Sequence, residues 1–220
     1  MLNIDKTNLL RHHTPERILD RIAFGLARLV AWMAGNTFFN SRYGDQVIVL
    51  ETVTAVPPMV VATLLHLKCL RRMLDDGGWV RTFMDEAESQ RTHLMAFVAL
   101  AKPNAWERFL IVLVQGIFYN AYFFLYLISA GTAHRLAAYF AEQAVQGYSK
   151  YLSQIESGER AMQPAPALAI AYWALAPDAQ VRDMIASMLE DEAIHRDLHH
   201  AFADALMQGQ TFPDRISSIS

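Results

Sequence analysis

The segment "MLEDEAIHRDLHH", residues 188 to 200, decides the fold that the sequence predicts. Its Glu192 and His195 are three residues apart, which puts a carboxylate and an imidazole on one face of a helix. This spacing is typical of four-helix bundles that hold two iron ions between facing helices. The segment "DEAESQRTHLMAF", residues 85 to 97, has the same rhythm, but Gln90 stands three residues before His93 where an acid would be. The pattern therefore indicates a di-iron bundle with an altered ligand set.

Composition limits the class of protein. A chain of 220 residues with 53% hydrophobic residues fits one domain with a sizeable core. The net charge of −3 and the pI of about 6.2 argue against a nucleic-acid partner. Cys69 is the single cysteine, which excludes an intramolecular disulfide and a thiolate metal cluster. Residues 1 to 18 lack the basic-then-apolar order of a secretory signal, so we expect the protein on the cytoplasmic side of the inner membrane.

Two long apolar segments point to a membrane. Residues 109 to 133 contain no formal charge and are long enough to cross a hydrocarbon core. However, Gln115 and Asn120 interrupt them, and the second segment, residues 47 to 67, contains Glu51. An unpaired carboxylate at membrane depth is costly and usually marks a site. We interpret both segments as helices of a bundle that touches lipid on one side only.

The first predicted helix fits the same picture. Thr14 is a plausible N-cap, with Pro15 and Glu16 in the first turn, which predicts a helix over 15 to 34. Its apolar face consists of Ile18, Leu19, Ile22, Leu26, Leu29, Val30 and Met33. Its other positions include Arg17, Asp20, Arg21 and Arg28. An ordinary core-facing helix would show the same periodicity, but the neighbouring charge-free segments favour a helix lying in a membrane interface.

The whole chain is predicted to be one all-α domain over residues 1 to 220. Helices are expected at 15–34, 43–75, 78–101, 104–129, 131–157 and 178–208, with breaks at "DDGG", "KPN" and "QPAPA". Pro57 and Pro58 should bend the second helix. Residues 1–14 form an N-terminal arm, 15–34 the interfacial helix, 43–208 a ferritin-like four-helix bundle and 209–220 a C-terminal tail.

An ordered set of motifs gives the chain a more specific likeness. The motifs are "RYGDQVIVLETVTAVPPMV", "GGWVRTFMDEAESQRTHLM", "KPNAWERFLIVLVQGIFYNAYFFLY", "AHRLAAYFAEQAVQGYSKYL", "PAPALAIAYW" and "LEDEAIHRDLHH". From about residue 40 to residue 205 the chain resembles the alternative oxidase family. That resemblance implies a cyanide-insensitive, non-proton-pumping quinol oxidase, which lies in one leaflet as a dimer and reduces oxygen to water at a di-iron carboxylate centre.

Four of the six ligand positions that the resemblance implies are kept: Glu51, His93, Glu192 and His195. Tyr148 matches the tyrosine beside the irons, which we take as the catalytic candidate. The hydrogen-bonding residues that surround the site match at His134, Asp191, Tyr172 and Trp173. We expect the four ligands to lie close together even without metal, with Tyr148 facing them and with coupled pKa values.

The other two ligand positions are replaced. Gln90 stands at a bridging glutamate and Ala141 at a terminal one, so two of four carboxylates remain to balance the charge of iron. Glu142 lies about 100° further round the helix and is expected at the surface or around the ligands rather than as a substitute. We therefore expect iron to be sub-stoichiometric or absent, with a single metal ion at the four remaining ligands as an alternative.

The quinone end departs from the family as well. Gln46 replaces an arginine that lines the pocket, and Gly147 stands before Tyr148, whereas Leu50 keeps the apolar wall. The pairs His12–His13 and His199–His200 are expected to be solvated residues at helix ends.

Two functions remain open. In the first, the chain is a monotopic, non-oxidase quinone-binding, accessory or assembly subunit, present as a homodimer or inside a larger membrane complex. In the second, it is an active quinol:oxygen oxidoreductase with an altered metal site. The two missing carboxylates favour the first.

Overall fold

The computed structural model describes residues 9–35 and 46–212, and over these ranges the chain is α-helical without a β-strand. The helices are α1 (Ile18–Gly35), α2 (Gln46–Thr54), α3 (Val56–Arg72), α4 (Trp79–Ala101), α5 (Ala105–Ile128), α6 (Ala130–Glu156), α7 (Ala167–Tyr172) and α8 (Val181–Met207). The predicted all-α fold is thus confirmed; the predicted breaks at "DDGG" and "KPN" fall between helices, and "QPAPA" does so except for its last residue, Ala167, which begins α7.

The core is a four-helix bundle. Helix α8 packs along α6, α4 packs against α3 and α2, and α2 also contacts α6. Helices α2 and α3, separated by one residue, together form one of the four helices of the bundle. Fully buried side chains that fill it include Phe83, Phe97, Tyr148, Met184 and Phe202. The bundle interior is therefore formed by α2–α3, α4, α6 and α8, while α1 and α5 lie on its outside.

The break between α2 and α3 follows from the two prolines. Pro57 and Pro58 lie in the first turn of α3, where a missing backbone N–H removes no intrahelical hydrogen bond. Ala55, between the two helices, donates to the carbonyl of Glu51 over 3.3 Å. The helix predicted over 43–75 is thus interrupted at Ala55, which leaves Glu51 in the last turn of α2, and a bend at the two prolines stays a prediction. The helix predicted to reach residue 75 ends at Arg72, because Met73 adopts a left-handed φ of 52°.

Helix α1 begins at Ile18, so the predicted start at residue 15 is wrong. Residues before it make tertiary contacts instead of a first turn: Arg196 donates to the carbonyl of Leu9 over 2.5 Å, and His13 donates its backbone N–H to Glu142 over 2.9 Å. The buried face of α1 consists of Asp20, Ala23, Ala27, Ala31 and Ala34. This face packs against α6.

Asp20 had been assigned to the polar face of α1, but it is buried and accepts a hydrogen bond of 3.1 Å from Arg135 on α6. The small alanine side chains allow α1 and α6 to approach closely. The guanidinium of Arg135 provides the hydrogen-bond donor that the buried carboxylate of Asp20 needs. The large apolar side chains of α1 consequently point away from the bundle. Ile18, for example, is 75% exposed and Trp32 is 64% exposed.

Helix α5 begins with a capping box. Asn104 accepts from the backbone of Glu107 over 3.0 Å, and Glu107 accepts from the backbone of Asn104 over 2.7 Å. By length and composition two stretches of the described chain are apolar enough to cross a membrane, Leu50–Arg72 and Ala105–Ile128. The first is 67% buried inside the bundle, whereas only 6% of the second is buried. The first is thus a core segment, and α5 presents an apolar surface to the outside.

Candidate metal centre

Three fully buried side chains from three helices converge in the middle of the bundle. Glu51 comes from α2, His93 from α4 and Glu192 from α8, and each is completely shielded from solvent. One ligand atom from each lies within 4.8 Å of the others. Oxygen and imidazole ligands at this spacing suit a divalent metal ion such as iron, manganese or zinc. The bundle therefore brings together three of the four residues proposed as ligands from the sequence.

The orientation of His93 is set from outside the cluster. Its Nε2 lies 3.2 Å from Oδ2 of Asp191, and the same carboxylate accepts hydrogen bonds from Trp173 Nε1 over 3.0 Å and from Ser89 over 3.1 Å. A carboxylate that holds the far nitrogen of a histidine fixes the ring and leaves the near nitrogen for a metal. His93 Nδ1 lies 3.2 Å from Glu192 and 3.7 Å from Glu51, without a hydrogen bond to any described residue.

Tyr148 on α6 supports the cluster from the opposite side. Its hydroxyl is fully buried and donates a hydrogen bond of 2.6 Å to Oε1 of Glu51, while Thr54 donates a longer one of 3.3 Å to Oε2. Its ring stacks on Phe97, with centroids 6.0 Å apart. Tyr148 thus faces the ligands, as the sequence predicted, and it holds the Glu51 carboxyl in place.

Gln90 lies one helical turn before His93 and enters the same cluster. Its amide nitrogen donates a hydrogen bond of 2.6 Å to Oε1 of Glu192 and one of 3.1 Å to Nδ1 of His195. The amide must be oriented this way, because its oxygen would repel the carboxylate. The amide oxygen has no hydrogen-bond partner among the described residues. Gln90 therefore brings His195 to the cluster, with His195 Nδ1 3.7 Å from Glu192.

Ala141 places a methyl group where the resemblance implies a glutamate, and a cavity lies beside it. The cavity has a volume of about 10 Å³. Its polar wall is formed by Glu86, Gln90, Glu192, His195 and His199. Its remaining wall is formed by Thr54, Pro57, Ala137, Phe140 and Ala141. The missing side chain has thus left a small space, which the neighbouring helices do not close.

Burial and mutual charge set the protonation of the cluster without metal. Burial, together with the charge of Glu192, raises the pKa of Glu51 to about 7. Burial alone would lower the pKa of His93, but the carboxylates of Asp191, Glu192 and Glu51 raise it to about 10. Burial opposes ionisation of Glu192, yet His195 and His93 hold its pKa well below the usual range. Without metal, His93 is therefore protonated and lies between the charged carboxylates of Asp191 and Glu192. Glu51 is only partly ionised near neutral pH.

The residues present suit one divalent cation. The cluster contains a buried histidine nitrogen, a Glu192 oxygen and a Gln90 oxygen that have no hydrogen-bond partner among the described residues. Such atoms cost free energy unless a ligand satisfies them. A divalent ion held by these residues would take the place of the proton on His93, and its charge would be balanced by Glu51 and Glu192. The arrangement can thus bind one metal ion beside a tyrosine.

Sequence reasoning missed Glu86 and misplaced His199. The pair His199–His200 was expected to be solvated, but both side chains are buried because this part of α8 packs along α6, where they contact His134 and Glu142. His199 Nε2 lies 2.9 Å from Oε1 of Glu86, and its Nδ1 lies 2.8 Å from Nδ1 of His134. His134 is therefore linked to the cluster through His199. The signal was present in the sequence, since Glu86 is four residues before Gln90 and His199 four after His195.

Glu142 takes no part in the cluster, and it is not at the surface, where the sequence had left it as one option. It points to the other side of α6, where it is buried and contacts His12 Nδ1 at 2.5 Å and His200 Nε2 at 3.0 Å. Of the pair expected to be solvated, His12 is 44% exposed although it contacts Glu142, whereas the ring of His13 is partly buried and stacks on His200 with centroids 4.5 Å apart. The backbone N–H of His13 also donates to Glu142. This carboxylate ties the N-terminal arm to α6 and α8.

The residues proposed for a quinone pocket are only partly described. Leu50 is buried in the core, and Gly147 is half-buried on α6. The side chain of Gln46 lies outside the described residues. Tyr172 is exposed, with its ring packed edge-on against Trp173 at 5.0 Å. It therefore lies at the outer edge of the network that holds His93.

Comparisons with known proteins agree with this geometry. The family model described as "Alternative oxidase" matches residues 3–204. "Ubiquinol oxidase 2, mitochondrial" of Glycine max is 44% identical over 203 residues, covering 92% of this chain and 61% of the relative. "Ubiquinol oxidase 1a, mitochondrial" of Arabidopsis thaliana is 45% identical over 203 residues, covering 92% and 57%. The chain spans about six tenths of the length of these relatives.

Proposed function

Because the chain belongs to the alternative oxidase family, we propose that it is a membrane-interface protein that binds a quinone and holds one metal ion. It acts as a non-oxidase accessory or assembly subunit rather than as a two-iron quinol oxidase. The observation that carries this proposal is the asymmetry of the cluster. Glu51, His93 and Glu192 converge on one position, whereas Ala141 presents a methyl group on the other side.

Charge is the physical reason for a single tightly bound ion. Two iron ions in a buried site need about four carboxylates to neutralise them, and the cluster supplies Glu51 and Glu192. Gln90 offers a neutral carbonyl, which coordinates weakly and bridges two metals poorly. A bound divalent ion supplies Lewis-acid and redox chemistry beside Tyr148. The side chains themselves orient the Glu51 carboxyl, through the hydrogen bond that Tyr148 donates, and orient His93 through Asp191.

The outer helices support attachment to one leaflet. The apolar face of α1 is turned away from the bundle, with Leu19, Ile22, Leu26 and Leu29 each about half exposed. Trp106, Phe109, Val112 and Ile117 of α5 are exposed as well. Apolar surface flanked by arginines and tryptophans is typical of helices that lie in the headgroup region. The protein lies on the cytoplasmic side of the inner membrane, and its quinone reaches the bundle from the lipid.

A second function is favoured by the completeness of the remaining network. Tyr148 is hydrogen-bonded to Glu51, and the hydrogen bond from Gln90 keeps His195 beside Glu192. The four remaining ligand positions and the tyrosine therefore still lie together. In this alternative the chain is an active quinol:oxygen oxidoreductase with an altered metal site. The names of the relatives, which are ubiquinol oxidases, support a quinol as the reductant.

One experiment separates the two functions. The full chain is purified with ample iron in mild detergent, and its metal content and quinol-dependent oxygen uptake are measured with and without cyanide. We expect no more than one iron per protomer and oxygen uptake at the rate of the protein-free control. Two irons per protomer with rapid cyanide-insensitive uptake would overturn the proposal and establish the oxidase instead.

A further inference from the structure

On α6 and α8, residues that line the pocket are followed directly by residues that contact the N-terminal arm. Three of the pocket residues have such a neighbour: Ala141, His195 and His199. The residues that come next are buried as well, and each touches the arm: Glu142, Arg196 and His200. Successive residues on an α-helix differ by about 100° in direction, so one faces the pocket while the next faces away from it. The arm therefore crosses the backs of both helices at the level of the pocket.

Arg196 anchors the arm to α8. Its side chain is buried, and its guanidinium donates to the carbonyl of Leu9 over 2.5 Å and to that of Arg11 over 3.3 Å. A buried guanidinium needs acceptors for its donors, and these two carbonyls lie 187 and 185 positions away in sequence. The rotation of α8 about its own axis is thus tied to the arm at the residue that follows His195.

Glu142 anchors the arm to α6 and joins it to α8. Its Oε1 accepts from the backbone N–H of His13 over 2.9 Å, and its Oε2 lies 2.5 Å from Nδ1 of His12. Oε1 also lies 3.0 Å from Nε2 of His200 on α8, whose ring stacks on that of His13. A buried carboxylate needs such donors. Glu142 therefore holds the arm, α6 and α8 at one point, next to Ala141.

We propose that the N-terminal arm is a positioning element for the metal centre: its contacts with Arg196 and Glu142 hold α8 in the rotation that directs Glu192 and His195 at the ion. The inference rests on the proposed single-ion site. It adds a coupling between that site and a part of the chain that lies outside the bundle.

Small rotations of α8 decide whether the ligands fit. The tip of a helical side chain lies about 5–6 Å from the helix axis, so a rotation of about 10° moves it by about 1 Å. Metal ligands must be held within about 0.5 Å of the productive geometry. Glu192 and His195 both belong to α8, whereas Glu51 and His93 belong to α2 and α4. A loosened α8 therefore shifts two ligand positions relative to the other two and weakens the site.

The test compares the affinity of full-length variants for Co²⁺, whose visible absorption reports both binding and ligand geometry. His12→Ala combined with His13→Pro removes the two donors that the arm gives to Glu142, one of which is a backbone N–H. We expect one Co²⁺ per wild-type protomer. The variant should bind Co²⁺ at least about fivefold more weakly and with an altered spectrum, because its ligands are held less well. Equal affinities and spectra in the two proteins overturn the inference.

Two controls separate positioning from a loss of stability. Thr14→Ala changes an exposed residue of the same arm and should bind Co²⁺ like the wild type. Ile155→Ala removes core packing about 21 Å along α6 from Ala141, so it should destabilise the protein without weakening Co²⁺ binding. An equal loss of affinity in Ile155→Ala and in the arm variant overturns the inference. If the double variant does not fold, His12→Ala alone carries the test, since His12 is 44% exposed: its Co²⁺ affinity should fall, and an unchanged affinity contradicts the inference.

Linkage supplies an independent measurement. If the docked arm favours bound metal, bound metal must favour the docked arm by the same factor. Saturating Co²⁺ should therefore slow hydrogen exchange of the wild-type segment that contains the His13 N–H, by about the factor that the arm variant loses in affinity. Exchange that is identical with and without Co²⁺ overturns the inference.

The same titration distinguishes this inference from the proposed function. One bound ion whose affinity does not depend on the arm overturns the inference alone. Two bound ions per wild-type protomer overturn the proposed single-ion function, while an affinity that still falls in the arm variant supports the coupling. Absence of Co²⁺ binding to the wild type overturns both.

Discussion

The amide of Gln90 donates a hydrogen bond of 2.6 Å to the carboxylate of Glu192, at the position where the resemblance implies a second carboxylate. Two carboxylates at this distance in a buried site would repel each other unless a proton or a cation lay between them. The glutamine removes one charge and replaces the repulsion with a hydrogen bond. The glutamine therefore favours the metal-free bundle at the expense of metal affinity.

Gln90→Glu should reverse that balance. Without metal the variant should lose about 1–3 kcal/mol of unfolding free energy, because a hydrogen bond becomes a repulsion between buried groups. With iron or manganese present, the melting temperature should rise more than it does for the wild type. Thermal unfolding with and without metal measures both effects. Gln163→Glu, at an exposed position, should change neither, and an unaltered metal-free stability of Gln90→Glu would contradict the explanation.

The double variant Gln90→Glu, Ala141→Glu should raise the iron content of the purified protein above that of the wild type. Each new carboxylate adds to a pocket already formed by Glu51, His93, Glu192 and His195, and supplies the charge that a second ion needs. Elemental analysis after growth in iron-rich medium is the readout. Oxygen uptake is a less direct measure, since it also requires a quinone site in which Gln46 replaces an arginine. Equal iron content in the two proteins would show that the bundle no longer has the necessary geometry.

Tyr148→Phe and Tyr139→Phe should differ, although both hydroxyls are buried. The Tyr148 hydroxyl donates a hydrogen bond of 2.6 Å to Glu51, whereas the Tyr139 hydroxyl has no hydrogen-bond partner among the described residues. Removing the first should destabilise the protein by about 1–3 kcal/mol, because a buried carboxyl loses its main donor. Removing the second should be neutral or slightly stabilising, because an unsatisfied group disappears. Chemical denaturation of both variants is the test, and equal losses would refute it.

His200 should make the protein sensitive to acid. Burial, followed by the charge of Arg135, lowers the pKa of His200 to about 4, against 6.5 for an ordinary histidine. The unfolded chain therefore binds a proton at a pH where the folded protein does not. The stability that this neutral histidine contributes is present above about pH 6.5 and is lost as the pH falls towards about 4.

The expected loss over this interval is on the order of 3 kcal/mol. His200→Gln retains a donor for Glu142 and an acceptor for Arg135 but does not titrate, so its stability should fall less between pH 6.5 and 4. His66→Gln changes an exposed histidine and should follow the wild type. Unfolding free energies at a series of pH values measure the difference, and parallel curves for all three proteins would exclude this role.

Leu26→Asn combined with Leu29→Asn should weaken binding to lipid vesicles while leaving the fold intact. Both side chains lie on the outward face of α1 and are about half exposed, so the core does not depend on them. Each should contribute about 1 kcal/mol to insertion, which gives a decrease of roughly tenfold or more in vesicle affinity. Flotation with vesicles of anionic and neutral lipid is the measurement. Met162→Asn, exposed on the loop after α6, should bind like the wild type.

The long helices and several of their ends could be predicted because they depend on local sequence, whereas the short helix α7 (Ala167–Tyr172) was not among the predicted helices. Asn104 with Glu107, the prolines at 57 and 58 and the glycines at 77 and 78 act on the backbone within a few residues, and the structure has helix boundaries at each of them. The spacing of Glu192 and His195 is equally local, since one helical turn brings both to the same face. The start of α1 was predicted wrongly, because residues 9–13 bond to distant helices rather than to the first turn.

The sequence by itself determined the helical bundle through residue identity and helical periodicity, and its resemblance to the alternative oxidase family implied the ligand positions and the loss of two carboxylates. Only the tertiary structure decided that Glu86 and His199 face the cavity beside Ala141, and that Glu142 turns away to the N-terminal arm. These contacts join residues more than a hundred positions apart, and local periodicity says nothing about which helix faces which. The face that each helix buries results from the combined packing of the whole bundle, and that packing fixes which of the buried polar groups meet.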